Sequence, residues 1–366
     1  MTVGIVGGGQ LARMMALAGY PLGLEFLSLD RDARTPAAQV APALSGEFTD
    51  PALLDELARR CEVVTFDWEN VPAAALDRIA GKVRIAPPRA ALAAAQDRLE
   101  EKTLFDRLRV PTNRYLAVDS LVELEAAVEK LGLPGVLKTR RLGYDGKGQA
   151  VLRTRADVGA AWERIGDVPL LYEEFVPFDY EVSIIGVRGL TGEIRTWPLN
   201  RNLHRDGVLR LTRAPWRAPA IERAAVRHVR RVLEHFDYVG VLTIEFFVRQ
   251  GRLVANEIAP RVHNSGHWTI EGSVTSQFEN HLRAILGLPL GDTSARGHSA
   301  MVNLLGSMPD RAVLLKEKSL FLHDYGKEPR PGRKLGHCTL VARNSADRDR
   351  RAASLLRRVD SRKIAG

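Results

Sequence analysis

The sequence predicts an α/β protein, and three observations carry that reading. Short apolar runs rich in strand-forming residues recur at 2–6, 24–29 and 63–66. Helix-spaced segments separate them, at 10–17 and 72–79. A glycine turn, Gly7-Gly8-Gly9, joins the first strand to the first helix. Buried strands alternating with helices build a parallel sheet.

The elements follow in order. The first unit runs to Pro87-Pro88, and a helix-rich stretch from Arg89 to Leu108 comes next. Pro111 ends it, because proline lacks the N–H that a helix needs. A helix at 121–131 stops at Gly132-Leu133-Pro134. Strands at 136–139 and 149–152 then flank a glycine loop. Strands at 170–176 and 181–187, a long helix at 221–236, and a strand pair at 241–248 and 252–259 follow. A helix at 277–286 ends at Gly287. The remainder alternates short strands and loops, then closes in an arginine-rich helix. No internal repeat or low-complexity linker is present.

Composition narrows the function. The chain has 366 residues, 45% hydrophobic and 27% charged, enough apolar material for a core and too much for a disordered segment. Two cysteines exclude a disulfide framework and a cysteine-based zinc site. No apolar run reaches about 18 residues, so no membrane span is expected. The chain opens directly on a strand, without a signal peptide's basic and apolar regions, and a soluble cytoplasmic protein is expected. The net charge of +9 invites a nucleic-acid reading. Most of the surplus lies beyond residue 308, where 15 basic side chains face 7 acidic ones. The closing arginines, 348 to 362, flank Leu355, Leu356 and Val359 and carry no interleaved aromatics. That pattern fits the solvated face of a surface helix better than a nucleic-acid footprint.

Five constellations carry chemistry. Gly7-x-Gly9-x-x-Ala12, with Asp30 closing the next strand, could seat a phosphate on a helix N-terminus and a ribose on Asp30. A nicotinamide oxidoreductase and a plain strand-to-helix turn both fit it. The loop Gly143-Tyr144-Asp145-Gly146-Lys147-Gly148 offers free N–H groups to an anion, with Lys138 at the end of the preceding strand. It is not a Walker loop, since no Gly-Lys-Ser/Thr opens a helix there.

Glu245 and Glu257 interrupt apolar strands, which is unusual unless they are paired or hold a metal. A hairpin with an odd-numbered loop around Gly251 would set them opposite each other, as oxygen ligands for Mg²⁺ bridging phosphates. Asn256 adds a neutral oxygen. The loop 260–268 is dense in polar groups, and its His263 and His267 could suggest zinc but lack a further ligand nearby. The basic turn Arg330-Pro331-Gly332-Arg333-Lys334 suits a phosphate monoester.

Together these motifs resemble one family, the 5-(carboxyamino)imidazole ribonucleotide synthases, which are ATP-grasp enzymes of purine biosynthesis. Further segments share the likeness: Gly8-Gly9-Gln10-Leu11, Glu69-Asn70-Val71-Pro72, Gln96-Asp97-Arg98-Leu99, Asn202-Leu203-His204 and the long run from Asn256 to Trp268. Asp67 departs from the glutamate of many relatives.

The resemblance implies a Rossmann-like N-terminal (pre-ATP-grasp) domain at 1–97 that does not bind NAD. An ATP-grasp domain would follow at 98–295, with a small lobe to about 176 and a large lobe beyond it, and then a small C-terminal β-rich domain at 296–366. ATP would be held by Arg98, Lys138, the 143–148 loop with Gln149, the Glu173-Glu174-Phe175-Val176 hinge, Glu181, His204, Asn256 and Glu257. Two Mg²⁺ ions would sit on Glu245 and Glu257. Gln10, Leu11 and Glu69 would meet aminoimidazole ribonucleotide, and Arg333 and Lys334 its phosphate. Lys327, Tyr144, Asp145, Arg261, His263 and Asn264 would lie near bicarbonate and the amine. The implied reaction is ATP-driven carboxylation of that amine by bicarbonate, and the implied assembly is a homodimer. A formate-using ATP-grasp ligase is the near alternative.

Overall fold

The computed structural model describes residues 1–143 and 148–360. Among these, the strands form three sheets. The first is parallel, with β1 (Thr2–Val6), β2 (Glu25–Asp30), β3 (Ala43–Ser45), β4 (Val63–Phe66) and β5 (Arg84–Ile85) in the order β3-β2-β1-β4-β5. Its central strands are buried from Val3 to Val6 and from Val63 to Phe66, as their apolar runs require.

The second sheet is antiparallel: β6 (Tyr115–Val118), β7 (Gly135–Thr139), β8 (Gln149–Leu152) and β9 (Leu170–Glu174), ordered β6-β9-β7-β8. The third is built from β10 (Tyr180–Arg188), β11 (Ile194–Thr196), β12 (Asn200–Arg205), β13 (Val208–Ala214), β14 (Gly240–Arg249), β15 (Arg252–Ala259), β16 (His298–Leu305), β17 (Leu320–Asp324) and β18 (Lys334–Ala342). Its order is β15-β14-β10-β12-β13-β16-β18-β17, with β11 on β10. The strands beyond 296 therefore extend this sheet through the β13–β16 pair.

Local chemistry places the helices. Pro219–His235 buries Ile221, Ala225, Val229, Val232 and Leu233, a helical stripe packed on β10. Gln277–Leu286 is capped by Ser276, whose hydroxyl accepts the Glu279 N–H, and ends at Gly287 with φ +73°. The expected helix-rich stretch 89–108 is two helices, Arg89–Gln96 and Arg98–Arg107, broken at Asp97. Asp97 leaves the helical region because its carboxylate caps Leu99 N–H at 3.0 Å and binds Arg140 and Arg141.

The parallel sheet and the long sheet share a core. Val3, Ile5, Met15 and Phe26 pack in one cluster with Phe278, Leu282, Val241 and Trp268. His281 bridges the two sheets: Thr65 Oγ1 lies 2.9 Å from its Nε2, and the Val241 N–H donates to its Nδ1 at 3.1 Å.

Burial drives the His281 pKa down to about 3, so the folded state holds the neutral ring. A depressed folded pKa gives stability that is whole above the unfolded value near 6.5 and is lost as pH falls toward 3. Urea unfolding at stepped pH should therefore lose about 1.4 kcal/mol per pH unit more in the wild-type chain than in His281→Gln, once below about pH 6. Parallel slopes for the two proteins would refute this.

Candidate active site

The three sheets meet at one cleft of about 1030 Å³. Gln10 and Leu11, opening the helix after β1, and Glu69, in the turn after β4, line it from the parallel sheet's side, and Lys138, Gln149 and the Glu173–Val176 hinge from the small antiparallel sheet. The long sheet and its following loop contribute Glu181, His204, Glu245, Asn256, Glu257, Arg261, His263, Asn264 and Lys334. Arg98 and Gly143 close the remaining edge. Lys327 joins this wall through its ammonium, which bonds Gln10 Oε1. Gly148 and Arg333 are not brought onto the wall: Gly148 packs on Thr139, and Arg333 donates to the Glu328 carbonyl at 3.1 Å. Tyr144, Asp145, Gly146 and Lys147 lie outside the described residues.

The first glycine turn is not a dinucleotide seat. The Gly8 N–H donates to Asp30 Oδ2 at 2.7 Å, and the Ala12 N–H to Asp67 Oδ2 at 3.4 Å. The chain's own carboxylates thus face the helix N-terminus where a pyrophosphate would sit. A Cβ on Gly7, whose φ is +104°, would fall 1.9 Å from Asp67 Oδ1, so only glycine fits. Asp30 accepts two backbone N–H groups and is committed to the turn, which removes the nicotinamide reading. Burial first, then the neighbouring Asp30, pushes the Asp67 pKa up to about 6.

Glu173 anchors the small lobe's side. It accepts from Lys138 Nζ at 3.0 Å and Asn113 Nδ2 at 3.0 Å, with Lys102 Nζ 3.7 Å away. Burial alone would raise its pKa, but Lys102, Lys138 and the Asn113 amide outweigh that and hold it at about 2. Lys102 is itself buried and donates to Thr112, Asn113 and the Ala255 carbonyl. Sequence reasoning missed Lys102 and Asn113. The available signal was that Lys102 falls within the buried face of its helix, between Glu101 and Leu104.

The carboxylate pair does oppose, but by a different device from the one expected. The hairpin loop is the two-residue turn Gln250-Gly251, with φ +48° and +72°. That register alone would set Glu245 against Asn256. A β-bulge at Asn256 shifts it by one, giving Glu245↔Glu257. Burial, then Glu257 and Glu181, pushes Glu245 up to about 7 despite the opposing pull of His204. His263 Nε2 lies 3.3 Å from Glu245 Oε1. His204 Nδ1 lies 3.0 Å from Glu181 Oε2, and Glu181, Glu245 and Glu257 together overcome burial and hold its pKa up to about 9.

Two facing carboxylates beside acidic neighbours fit a hard cation that keeps positions for phosphate oxygens. Among the described residues no three His, Cys, Asp or Glu side chains form a complete metal cage. The zinc reading fails on orientation: His263 faces Glu245, while His267 packs on His337 and Phe278.

Across the cleft, Arg261 Nη2 pairs with Glu69 Oε1 at 2.8 Å. Among the described residues neither buried amide atom of Asn264, on the cleft wall, has a partner, which suits groups that meet a small polar ligand. Burial, then Arg333, lowers Lys327 to about 8.

Three family descriptions match the chain: a ribonucleotide synthetase preATP-grasp domain over residues 1–96, an ATP-grasp domain over 103–278, and a phosphoribosylaminoimidazole carboxylase C-terminal domain over 299–351. The N5-carboxyaminoimidazole ribonucleotide synthase of Pseudomonas aeruginosa is 48% identical over 355 residues, 97% of this chain and 98% of that protein. The crystal structure of the N5-carboxyaminoimidazole ribonucleotide synthetase of Thermus thermophilus superposes with a TM-score of 0.93 at 50% identity, covering 98% of both chains. An Aspergillus clavatus N5-carboxyaminoimidazole synthase, solved with ADP and 5-aminoimidazole ribonucleotide, gives 0.92 at 32% identity, again over 98% of each chain.

Removing Lys102 leaves Glu173 buried with one cation fewer. Lys102→Met should lower unfolding stability by about 3 kcal/mol in a denaturant titration. A loss below about 0.5 kcal/mol would mean that Lys138 and Asn113 hold Glu173 alone.

Proposed function

The chain belongs to the N5-carboxyaminoimidazole ribonucleotide synthase family of ATP-grasp ligases, and from that membership we propose how its cleft works. The reaction is ATP-dependent carboxylation of the amine of 5-aminoimidazole ribonucleotide by bicarbonate, with release of ADP and phosphate, in purine biosynthesis. One observation carries the reading. A single cleft joins Lys138, Glu181 and the Glu245–Glu257 pair to Gln10, Glu69, Arg261 and the unpartnered Asn264 amide. Nucleotide chemistry and a polar acceptor thus share one space.

Bicarbonate is a poor electrophile, so its carboxyl must first be phosphorylated by ATP. The resulting carboxyphosphate, or CO₂ released from it, then takes the amine, and phosphate leaves. Backbone groups of Glu173–Val176 would hold the adenine and Glu181 the ribose. Lys138, held by Glu173, would offset charge on the transferring phosphoryl group. Mg²⁺ bound by Glu245 and Glu257 would supply further positive charge there. Arg261 and Asn264 would orient bicarbonate and steady the carboxyphosphate. Gln10, Leu11 and Glu69 would position the amine, with Lys327 beside them through Gln10, and Lys334 would take the ribonucleotide phosphate. Tyr144 and Asp145, outside the described residues, remain proposed for the bicarbonate side. No helix among the described residues is long and apolar enough to cross a membrane. We further infer a cytoplasmic homodimer, which light scattering on the purified chain would test.

ADP release should require bicarbonate and 5-aminoimidazole ribonucleotide together. Background release with both present, or equal release with formate in place of bicarbonate, would overturn the proposal. Glu257→Gln should lower turnover at least about 100-fold while leaving the unfolding free energy within about 0.5 kcal/mol of wild type. Unchanged activity in that variant would remove the metal assignment.

A further inference from the structure

The arginine-rich closing helix, Ser345–Asp360, has no task in the reaction above. Its arginines are turned largely inward or paired. Arg348 is 1% exposed and donates to the Pro215 carbonyl at 3.1 Å, while Arg351 pairs with Glu317 and Arg350 with Asp347. The helix also carries two carboxylates that reach back to the hairpin of β12 and β13. Asp349 meets Arg213 at 3.1 Å. Asp360, in the last turn, meets two arginines at once: Arg205 at 2.9 Å and the Arg210 guanidinium.

Those two arginines stand on opposite arms of one hairpin. Between them lies the turn Asp206-Gly207, with φ +54° and +75°. Arg205 ends β12 directly after His204, and Arg210 lies on the returning strand next to Leu209. His204, Gly207 and Leu209 all line the cleft. The register of the hairpin shifts between Leu203 and His204: His204 pairs with Leu209, Leu203 with Leu211, and Arg210 is the extra residue that the ladder leaves out. The His204 imidazole Nδ1 lies 3.0 Å from Glu181 Oε2, and the His204 backbone N–H donates to the same carboxylate oxygen at 3.3 Å. Arg210 is 3% exposed, and its other anchor is the Asn303 carbonyl at 3.3 Å. A guanidinium so buried needs an anion, and among the described residues Asp360 supplies it.

We propose that Asp360 is a positioning residue for nucleotide binding: it clamps both arms of the β12–β13 hairpin and so holds His204 and the adjoining cleft wall against Glu181. Asp360 touches no substrate. It acts through Arg205 and Arg210, as outer partners orient the groups that contact a ligand. The closing helix is therefore a strap on the ATP wall, and its basic character serves intramolecular pairing. This inference rests on the reading of the cleft as an ATP site.

The test measures ATP and 5-aminoimidazole ribonucleotide dissociation constants by calorimetry on the full chain, so turnover is not needed. Asp360→Asn should raise the ATP constant about tenfold and leave the ribonucleotide constant unchanged. Asp360→Glu should restore most of the ATP affinity. Arg205→Gln, at an exposed position where folding is not at risk, should raise the ATP constant about threefold. Val359→Ala loosens the same helix turn from its apolar seat without touching the clamp. It should lower the melting temperature and leave ATP affinity alone. Wild-type ATP affinity in both Asp360→Asn and Arg205→Gln would overturn the strap, and so would an equal ATP effect from Val359→Ala. A wild-type chain that binds no ATP would instead overturn the reading of the cleft itself.

Discussion

The cleft depends on the buried ion cluster of Glu173, Lys102 and Lys138. A carboxylate removed from water costs several kcal/mol unless cations and donors surround it. Here the neutralising groups come from three elements: Lys138 from β7, Asn113 from the segment before β6, and Lys102 from helix Arg98–Arg107. Lys102 also donates to the Ala255 carbonyl, on β15, one residue before the bulge at Asn256. Satisfying one buried charge therefore joins the small sheet to the long one at the floor of the cleft. It also fixes the strand that carries Glu257 relative to the strand that carries Lys138.

Charges of both signs then crowd that floor. Glu181, Glu245 and Glu257 gather on the long sheet, where burial and mutual repulsion push Glu245 up to about 7. Lys138, Arg261 and Lys334 line the same space. Such an arrangement suits a cation with its phosphates, whose positive charge would offset the crowded carboxylates. The glycine turn of the parallel sheet is not a dinucleotide seat. Asp30 and Asp67 face the helix N-terminus, so the turn serves as a rigid mount for Gln10 and Leu11.

Much of this was legible in the sequence, because its signals are local. The alternation of apolar runs and helix-spaced segments marks the parallel sheet. The helix at 277–286 is bounded by its own cap residues. Glutamates inside apolar strands announce a pair that needs a partner. The bulge was not legible: even spacing correctly suggested that Glu245 and Glu257 oppose, but the odd-numbered loop inferred from it is absent. A two-residue turn and one inserted residue give the same opposition, and spacing cannot tell the two apart. Nor could spacing reveal that Asp97 would cap a second helix and divide the stretch at 89–108.

The sequence by itself determined the family and the segments where chemistry is expected, since residue type and short-range order decide what can bind phosphate, hold a cation or turn a chain. Only the tertiary structure decided how those residues are held. Lys102 and Glu173 are 71 positions apart, and Arg205 and Arg210 find Asp360 about 150 residues later. A buried charge is neutralised by whatever the fold brings within a few ångströms, and no local pattern encodes that meeting. The surplus of arginine in the closing helix was visible from composition. That it straps a cleft wall follows only from where the chain returns.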